Sequence, residues 1–126
     1  MKTIKHQADF CVIGGGLAGM CAAIQAARHG IKTILMHERP VLGGNASSEV
    51  RMWVCGAHGP NNRETGLVEE LNLENLYRNP GYNYSIWDGI MYEMARSEPN
   101  IELLMNCSCF GCEMDGARIK SVRGWQ

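Results

Sequence analysis

Three consecutive glycines, Gly14, Gly15 and Gly16, interrupt the most apolar stretch of the chain, FCVIGGGLAGMCAA. Glycine weakens helices and strands because its backbone loses more conformational freedom on folding than that of any other residue. A glycine run here predicts either a close approach of another group to the main chain or a cleaved leader peptide. The leader is disfavoured because the glycines break the helix that a leader needs, and because Asp9 interrupts the basic start.

The segments that flank the glycines predict a βαβ unit. Residues 8–13 form a short apolar run bounded by glycine, which is typical of a fully buried strand. Residues 17–28 carry apolar side chains at helical spacing and are followed by Gly30, a common helix stop. Residues 31–36 favour a second buried strand, and the crossover between the two strands is expected to be right-handed.

The middle of the chain is less regular. Residues 39–60 are rich in Gly, Asn and Ser, and they indicate a loop with a short helix near 47–53. The spacing of apolar residues predicts a helix over 63–77 and another over 85–97, with Ser85 as the cap of the second.

The last part of the chain returns to strand patterns. Residues 101–106 predict a third strand, and Asp115-Gly116 predicts a hairpin between the runs 108–114 and 117–124. The predicted fold class is α/β, a Rossmann-type parallel sheet with flanking helices and the start of a β-meander. It is expected to be one domain, 1–126, with a mostly helical insert at about 45–98 and an incomplete carboxyl end.

The glycine spacing carries a specific chemistry. Gly14-Gly15-Gly16-Leu17-Ala18-Gly19 fits G-x-G-x-x-G between a predicted strand and a predicted helix. In this pattern the first glycine permits the tight turn, the second admits a pyrophosphate to the main chain, and the third lets helix and strand pack closely. Glu38 lies 19 residues after Gly19, at the end of the second predicted strand, where an acid binds ribose hydroxyls. The sequence therefore predicts a dinucleotide site.

Composition excludes several classes of partner. The net charge of −1 gives no electrostatic basis for binding nucleic acid or an anionic membrane. No apolar run reaches the roughly 18 residues that a membrane-spanning helix needs. The chain has six cysteines, two of them inside apolar runs, and this usage predicts reduced thiols and a cytoplasmic location.

Residues 12–44, VIGGGLAGMCAAIQAARHGIKTILMHERPVLGG, resemble the amino-terminal fingerprint of two-dinucleotide-binding-domain flavoproteins. These are FAD-dependent oxidoreductases related to glutathione reductase and to the fumarate reductase flavoprotein. In that superfamily a Gly-Gly pair soon after the ribose-binding acid, here Gly43-Gly44, belongs to the FAD version of the fold. The stretch GGNASSEVRMW is similar to a broad group of FAD-dependent oxidoreductases, some of them close to heterodisulfide reductase flavoprotein subunits.

The resemblance implies FAD as the cofactor and assigns roles by position. The glycines of the first turn would hold the pyrophosphate, the acid would bind the adenosine ribose, and the Gly-Gly segment would lie near the pyrophosphate or the ribityl chain. Arg39 and the segment around Cys107 to Cys109 would lie beside the adenine. The implied cofactor-binding residues are Gly14, Gly16, Leu17, Ala18, Gly19, Glu38, Arg39, Gly43, Gly44, Asn45, Ser47 and Cys109.

The resemblance also implies an activity, which is hydride transfer between an unidentified small-molecule substrate and the flavin in a longer parent enzyme. Relatives of glutathione reductase carry a redox cysteine pair after the Gly-Gly, whereas Ser47 and Ser48 stand there in this chain and Cys55 stands alone. Dithiol exchange of that pattern is therefore not expected. The chain is predicted to be an amino-terminal fragment, inactive alone, whose unpaired sheet edges favour self-association.

Other constellations leave alternatives open. Cys107, Cys109 and Cys112 could hold a metal or an iron–sulfur centre, but on a regular strand Cys112 faces away from the other two unless a bulge intervenes. Two alternative functions therefore remain: an electron carrier based on thiols or an iron–sulfur centre, and a non-catalytic nucleotide-binding module. Cys55 is interpreted as a redox thiol beside the flavin ring, as a nucleophile paired with His58, or as a loop cysteine without a chemical role.

Two further groups are interpreted as structural. His37, beside Glu38, is expected to be packed or solvent-facing rather than an acid–base group. Arg51 and Arg63 are interpreted as surface charges, with contact to an anionic substrate as the alternative. The aromatic residues of the insert are expected to pack it, with an aromatic substrate platform as the alternative: Tyr77, Tyr82, Tyr84, Trp87 and Tyr92.

Overall fold

The computed structural model describes residues 3–52, 54–57, 59–61 and 64–126. Three parallel strands form a sheet in the order β1 (Phe10–Ile13), β2 (Thr33–His37) and β3 (Ile101–Met105). Helix α1 (Leu17–Arg28) connects β1 to β2, so the predicted βαβ unit is confirmed. In the register of the sheet, Ile13 pairs with Met36.

Two helices separate β2 from β3, namely α2 (Gly66–Arg78) and α3 (Tyr84–Arg96). The short helix predicted near 47–53 is wrong, because a 3-10 turn forms earlier, at Gly44–Ala46, and residues 48–50 form a turn. Trp53 and the predicted start of α2 at Arg63 lie outside the described residues.

The cap of α3 differs from the prediction. Asn83, not Ser85, caps the helix, since its side-chain oxygen accepts a hydrogen bond from the Ser85 backbone N–H at 2.8 Å. Asparagine and serine are comparable capping residues, so the sequence alone does not decide between neighbours of this kind.

The main core lies between the sheet and the three α-helices. Met20 and Ile24 of α1, Leu35 of β2 and Met91 of α3 are completely buried in one cluster. Because strand side chains alternate, Leu35 faces the helices while Met36 faces the opposite side of the sheet. In the described part of the chain, no helix has the length and apolar character needed to cross a bilayer.

A hairpin packs against the opposite face of the sheet, the face that carries Met36. Strands β4 (Ser108–Asp115) and β5 (Arg118–Trp125) pair antiparallel, which confirms the hairpin predicted around Asp115-Gly116. A Cβ atom at Gly124 would lie 2.9 Å from the Met36 Cε, so the hairpin packs directly on β2.

A bulge changes the predicted facing of the hairpin cysteines. The register shifts between Cys109 and Gly111, so that Cys109 lies opposite Gly124 and Cys112 lies opposite Val122. Gly124 and Val122 are two residues apart on β5 and share a face, so Cys109 and Cys112 face the same side.

The prediction that β1 is fully buried is wrong. Phe10, Cys11 and Ile13 are exposed, and only Val12 is half-buried against the helix layer. The cause is position: β1 is the edge strand of the sheet that the described residues form, so neighbouring layers cover both of its faces only partly.

Arg28 joins three segments of the fold. Its guanidinium donates to both carboxylate oxygens of Glu70 at 2.7 Å, and its Nε donates to Glu98 at 2.6 Å. These bonds tie the end of α1 to α2 and to the segment that precedes β3. The hydrogen bonds from Arg28 hold the pKa of Glu70 below its ordinary value.

Replacing Arg28 with methionine should lower the free energy of unfolding by about 1–2 kcal/mol, because a forked arginine pair exceeds an ordinary surface ion pair. Because the pKa of Glu70 is lower in the folded protein, the stability that this ion pair contributes is fully present above the pKa of glutamate in the unfolded chain. It is lost as the pH falls through the lowered pKa of the folded protein. The difference between the two proteins, measured by denaturant unfolding, should therefore be largest at neutral pH and shrink below about pH 4.

Arg96→Met is the matched control, since no ion pair of Arg96 is found among the described residues. A loss of stability in the control as large as that in Arg28→Met, or a difference that grows in acid, would contradict the role of the Arg28 network.

Candidate dinucleotide site

The glycine-rich turn joins the end of β1 to the start of α1. Gly14 has φ of +106°, a conformation that favours glycine, and its N–H donates to Met36 O at 2.8 Å. Gly16 has extended backbone angles, and a Cβ atom built there would meet nothing within 4 Å. The main chain at Gly16 therefore presents an open surface beside a helix N-terminus.

That helix end is suited to an anion. Gly16 occupies the N-cap of α1, and no side chain makes a capping hydrogen bond there. The first N–H groups of a helix lack intrahelical partners and carry the positive end of the helix dipole. Leu17 is half-buried against the core and Ala18 is exposed, so neither side chain closes this end. A phosphate is the type of group that such an end binds.

Gly19 determines how closely the helix approaches the turn. A Cβ atom at Gly19 would lie 1.9 Å from the Gly14 carbonyl oxygen, and 3.3 Å from a methyl of Val12. The carbonyl is part of the main chain and has no rotamer to adopt, so any side chain here would push α1 away from the turn.

The Gly-Gly pair lies directly against the first turn. Gly43 N donates to Gly15 O at 2.8 Å, and Gly43 forms an isolated parallel bridge with Gly16. Gly43 and Gly44 have φ of +101° and +57°, so both positions favour glycine. A Cβ at Gly44 would lie 3.2 Å from the Gly16 Cα. The two glycine segments, 27 positions apart in the sequence at Gly16 and Gly43, thus form one surface.

Side chains of α3 hold the loop that follows the Gly-Gly pair. Trp87 Nε1 donates to Ala46 O at 2.8 Å, and the buried Asp88 carboxylate accepts from Ser48 N at 2.9 Å. A Cβ at Gly43 would lie 2.6 Å from the Met91 sulfur. Sequence reasoning missed Asp88 and Met91, because nothing local relates them to a loop about 40 residues earlier.

The predicted residues Asn45 and Ser47 differ in exposure. Ser47 is completely buried, and its hydroxyl donates to Gly44 O at 2.7 Å while accepting from Glu49 N at 3.3 Å. Asn45 is exposed, and its backbone oxygen accepts from Met52 N at 2.8 Å. The Ser47 side chain therefore folds the loop, whereas the Asn45 side chain faces outward.

Glu38 follows β2 directly and is exposed. The hydrogen bond between Gly14 N and Met36 O brings the end of β2 beside the glycine turn, so the acid lies at the same edge of the sheet as the turn.

Arg39 forms an ion pair with Glu49, which the sequence analysis did not predict. Its Nε and Nη2 donate to Glu49 at 3.0 and 2.8 Å, and this contact lowers the pKa of Glu49. The two residues are exposed and close the loop that runs from β2 to the Gly-Gly segment.

The segment after β3 reaches the same edge. Cys107 N donates to His37 O at 2.8 Å, and Asn106 N donates to Arg39 O at 3.4 Å. Cys109 lies two residues further along, exposed on β4. The structure therefore brings the segment predicted near the adenine to the end of β2.

All six cysteines lie in the described ranges as thiols. Burial raises the pKa of the Cys107 thiol, and nearby Cys109 raises it further. Among the residues that the structure describes, no group of three or more His, Cys, Asp or Glu side chains is placed to hold a metal ion. The predicted partner of Cys55, His58, is outside the described residues.

The aromatic residues of the insert differ in exposure. Tyr77, Tyr82 and Tyr92 are exposed, Tyr77 by 86%, so the prediction that they pack the insert is wrong. Tyr84 and Trp87 are half-buried and, together with the exposed Tyr82, border a cavity of about 200 Å³ next to Ala46. Its wall continues through Met52 and Val54, on either side of the undescribed Trp53.

A family comparison identifies the cofactor. Residues 9–126 match the model of the family described as FAD dependent oxidoreductase. The chain belongs to the FAD-dependent oxidoreductase family. FAD is therefore its cofactor, which the resemblance implied, and the open main chain at Gly16 fits the pyrophosphate of such a group.

Curated proteins of several kinds are similar to parts of this chain. Glycerol-3-phosphate dehydrogenase of Mycobacterium leprae is 38% identical over 69 residues, which are 55% of this chain and 12% of the relative. Fumarate reductase (cytochrome) of Shewanella frigidimarina is 53% identical over 38 residues, or 30% of this chain and 7% of the relative. The chain thus spans a small part of the length of these relatives.

A solved structure shows the same fold. The GidA-related protein of Thermus thermophilus superposes with a TM-score of 0.63 at 17% identity, over 94% of this chain and 46% of that protein. The predicted α/β fold class is confirmed, and the chain is the FAD-binding portion of a flavin oxidoreductase of this family.

Proposed function

We propose that the turn from Gly14 to Gly19 receives the pyrophosphate of FAD and that Glu38 accepts hydrogen bonds from the adenosine ribose. One observation supports this placement above the others: the main chain at Gly16 is open beside an uncapped helix end and is flanked by Gly43 and Gly44. Bare N–H groups and a helix dipole stabilise a diphosphate, and a carboxylate stabilises a pair of sugar hydroxyls.

The remaining predicted residues extend this site in two directions. Gly43, Gly44 and Asn45 continue from the pyrophosphate toward the ribityl chain, with the Ser47 hydroxyl fixing the loop that carries them. Arg39 and Cys109 lie toward the adenine, where Glu49 holds the Arg39 guanidinium in place.

We further propose that a longer parent enzyme transfers a hydride between a small-molecule substrate and the flavin. FAD supplies the redox chemistry when bound, while the protein supplies position and electrostatics. The residues of this chain bind and orient the cofactor. A reducing compartment such as the cytoplasm suits its six thiols.

A titration with FAD tests the proposal. The purified chain should bind FAD, and Glu38→Gln should weaken binding about 10–100-fold, because hydrogen bonds to a charged acceptor contribute about 1.5–3 kcal/mol. Quenching of flavin fluorescence or calorimetry measures the dissociation constant. Glu74→Gln makes the same chemical change on the exposed surface of α2 and should leave affinity unchanged. Equal affinity of the Glu38 variant and wild type would contradict the ribose contact.

A further inference from the structure

His37, the last residue of β2, is buried beneath the glycine-rich turn with only 7% of its surface exposed. Its Nδ1 accepts a hydrogen bond from Gly15 N at 2.9 Å, and its Nε2 lies 3.0 Å from Val41 O. It therefore connects β2, the first glycine turn and the loop that leads to the Gly-Gly pair.

These two partners fix the protonation of the ring. A backbone N–H only donates, so Nδ1 must carry a lone pair, and a carbonyl only accepts, so Nε2 must carry the hydrogen. The imidazole is thus neutral with its proton on Nε2. The charged ring, and the other tautomer, would each place an N–H against the Gly15 N–H.

The ring also explains why the second position of the motif is glycine. A Cβ atom at Gly15 would lie 2.8 Å from His37 Cγ and 2.5 Å from a methyl of Leu42. The imidazole therefore packs against the Gly15 backbone on the inner side of the turn. On the outer side, a Cβ at Gly14 or Gly16 meets nothing within 4 Å.

The hydrogen bond to His37 orients a peptide plane. In a trans peptide the N–H and the preceding C=O point in opposite directions, and the described chain has no cis peptide. With Gly15 N–H directed at His37, the Gly14 carbonyl must point the other way, where it lies against α1 at Gly19. In the Gly15–Gly16 peptide, the Gly15 carbonyl accepts a hydrogen bond from Gly43 N. Because the Gly16 N–H of this trans peptide points the opposite way, it is directed away from Gly43.

We propose that His37 is a positioning residue for the cofactor: its neutral imidazole fixes the Gly14–Gly15 peptide and so pre-forms the surface that receives the pyrophosphate. The inference rests on the proposed placement of FAD. Because His37 lies on the side of the turn away from the open surface, it acts through the main chain and does not contact FAD. Its charged neighbours are Glu38 and Arg39 in the chain and Glu49 across the loop.

Three variants distinguish the effect of the hydrogen bond at Nδ1 from the effect of the one at Nε2. The amide of asparagine matches the position of Nδ1, so His37→Asn keeps an acceptor for Gly15 N–H. The amide of glutamine matches Nε2, so His37→Gln keeps the donor to Val41 O and loses that acceptor. His37→Leu loses both. FAD affinity should fall about tenfold or more in the Gln and Leu variants, as one main-chain donor loses its partner, and stay within about threefold of wild type in the Asn variant.

Comparing the FAD affinities of these variants with their melting temperatures distinguishes a positioning role of His37 from a purely structural one. If affinity in the three variants follows their melting temperatures rather than the presence of an acceptor at Nδ1, or if His37→Leu binds FAD as wild type does, the inference is overturned while the proposed function stands. Failure of wild type to bind FAD would overturn both.

The protonation of the His37 ring can also be measured spectroscopically in the wild-type chain, so this test does not depend on whether a variant folds. With 15N-labelled histidine, the His37 ring at neutral pH should show a protonated Nε2 and an unprotonated Nδ1, and the Gly15 amide should exchange slowly with solvent. A protonated Nδ1 would overturn the inference whatever the binding data show.

Discussion

Gly16→Val should abolish FAD binding and leave the fold intact. A valine side chain would occupy the space in which the pyrophosphate reaches the main chain, and loss of two or three charge-assisted hydrogen bonds corresponds to an affinity at least about 100-fold lower. The protein itself has room for the change. The backbone at Gly16 is extended, at φ −61° and ψ 171°, and a Cβ there meets no atom within 4 Å.

The measurement combines FAD titration with thermal unfolding. Circular dichroism should show an unchanged helix content and a melting temperature near that of wild type, because alanine-like caps differ from glycine by only a few tenths to about 1 kcal/mol. Gly81→Val is the matched control, since its Cβ also meets nothing within 4 Å but lies in the turn between α2 and α3. This control should bind FAD normally. Retained FAD binding in Gly16→Val would contradict the placement of the pyrophosphate.

The parts of the fold that the sequence predicted are those that local patterns determine. Strand β1, helix α1 and strand β2 follow from a change of hydrophobic period across a glycine turn. The hairpin follows from Asp115-Gly116, a dipeptide whose two residues suit a tight turn. In each case the decisive residues lie within a few positions of the element they specify.

The candidate site was predicted in part for the same reason. The spacing of Gly14, Gly16 and Gly19 is a local pattern with a known mechanism, and the structure shows an open main chain at Gly16 and a close helix approach at Gly19. The need for glycine at Gly15 was not predictable, because it arises from His37 and Leu42, more than 20 positions later.

The sequence did not predict the burial of β1 correctly, nor the contacts by which α3 supports the loop after Gly44. The apolar composition of β1 predicted burial on both faces, but a strand is buried only where neighbouring layers cover it, and Phe10 and Ile13 are exposed at the sheet edge. The bonds from Trp87 and Asp88 to the loop after Gly44 likewise depend on how α3 packs. A single sequence does not encode such long-range contacts as a recognisable spacing.

Gly19→Ala should destabilise the protein strongly, although alanine is the better helix former. In an isolated helix the change would stabilise by about 1 kcal/mol. Here the new Cβ would lie 1.9 Å from Gly14 O and 3.1 Å from the Gly14 carbonyl carbon. Relief requires α1 to move off the turn, and overpacking of this kind destabilises by about 1–3 kcal/mol or more.

Gly89→Ala provides the matched comparison. Gly89 also lies inside a helix, α3, but its Cβ would meet nothing within 4 Å, so the same substitution should raise stability by up to about 1 kcal/mol. The two variants should therefore shift the melting temperature in opposite directions, with a fall of about 5–15 °C for Gly19→Ala. Equal shifts in the two variants would mean that α1 does not lie against the Gly14 carbonyl, and the close approach that shapes the pyrophosphate surface would be wrong. Because the displaced helix carries the N–H groups that face the phosphate, any Gly19→Ala protein that remains folded should also bind FAD more weakly than Gly89→Ala.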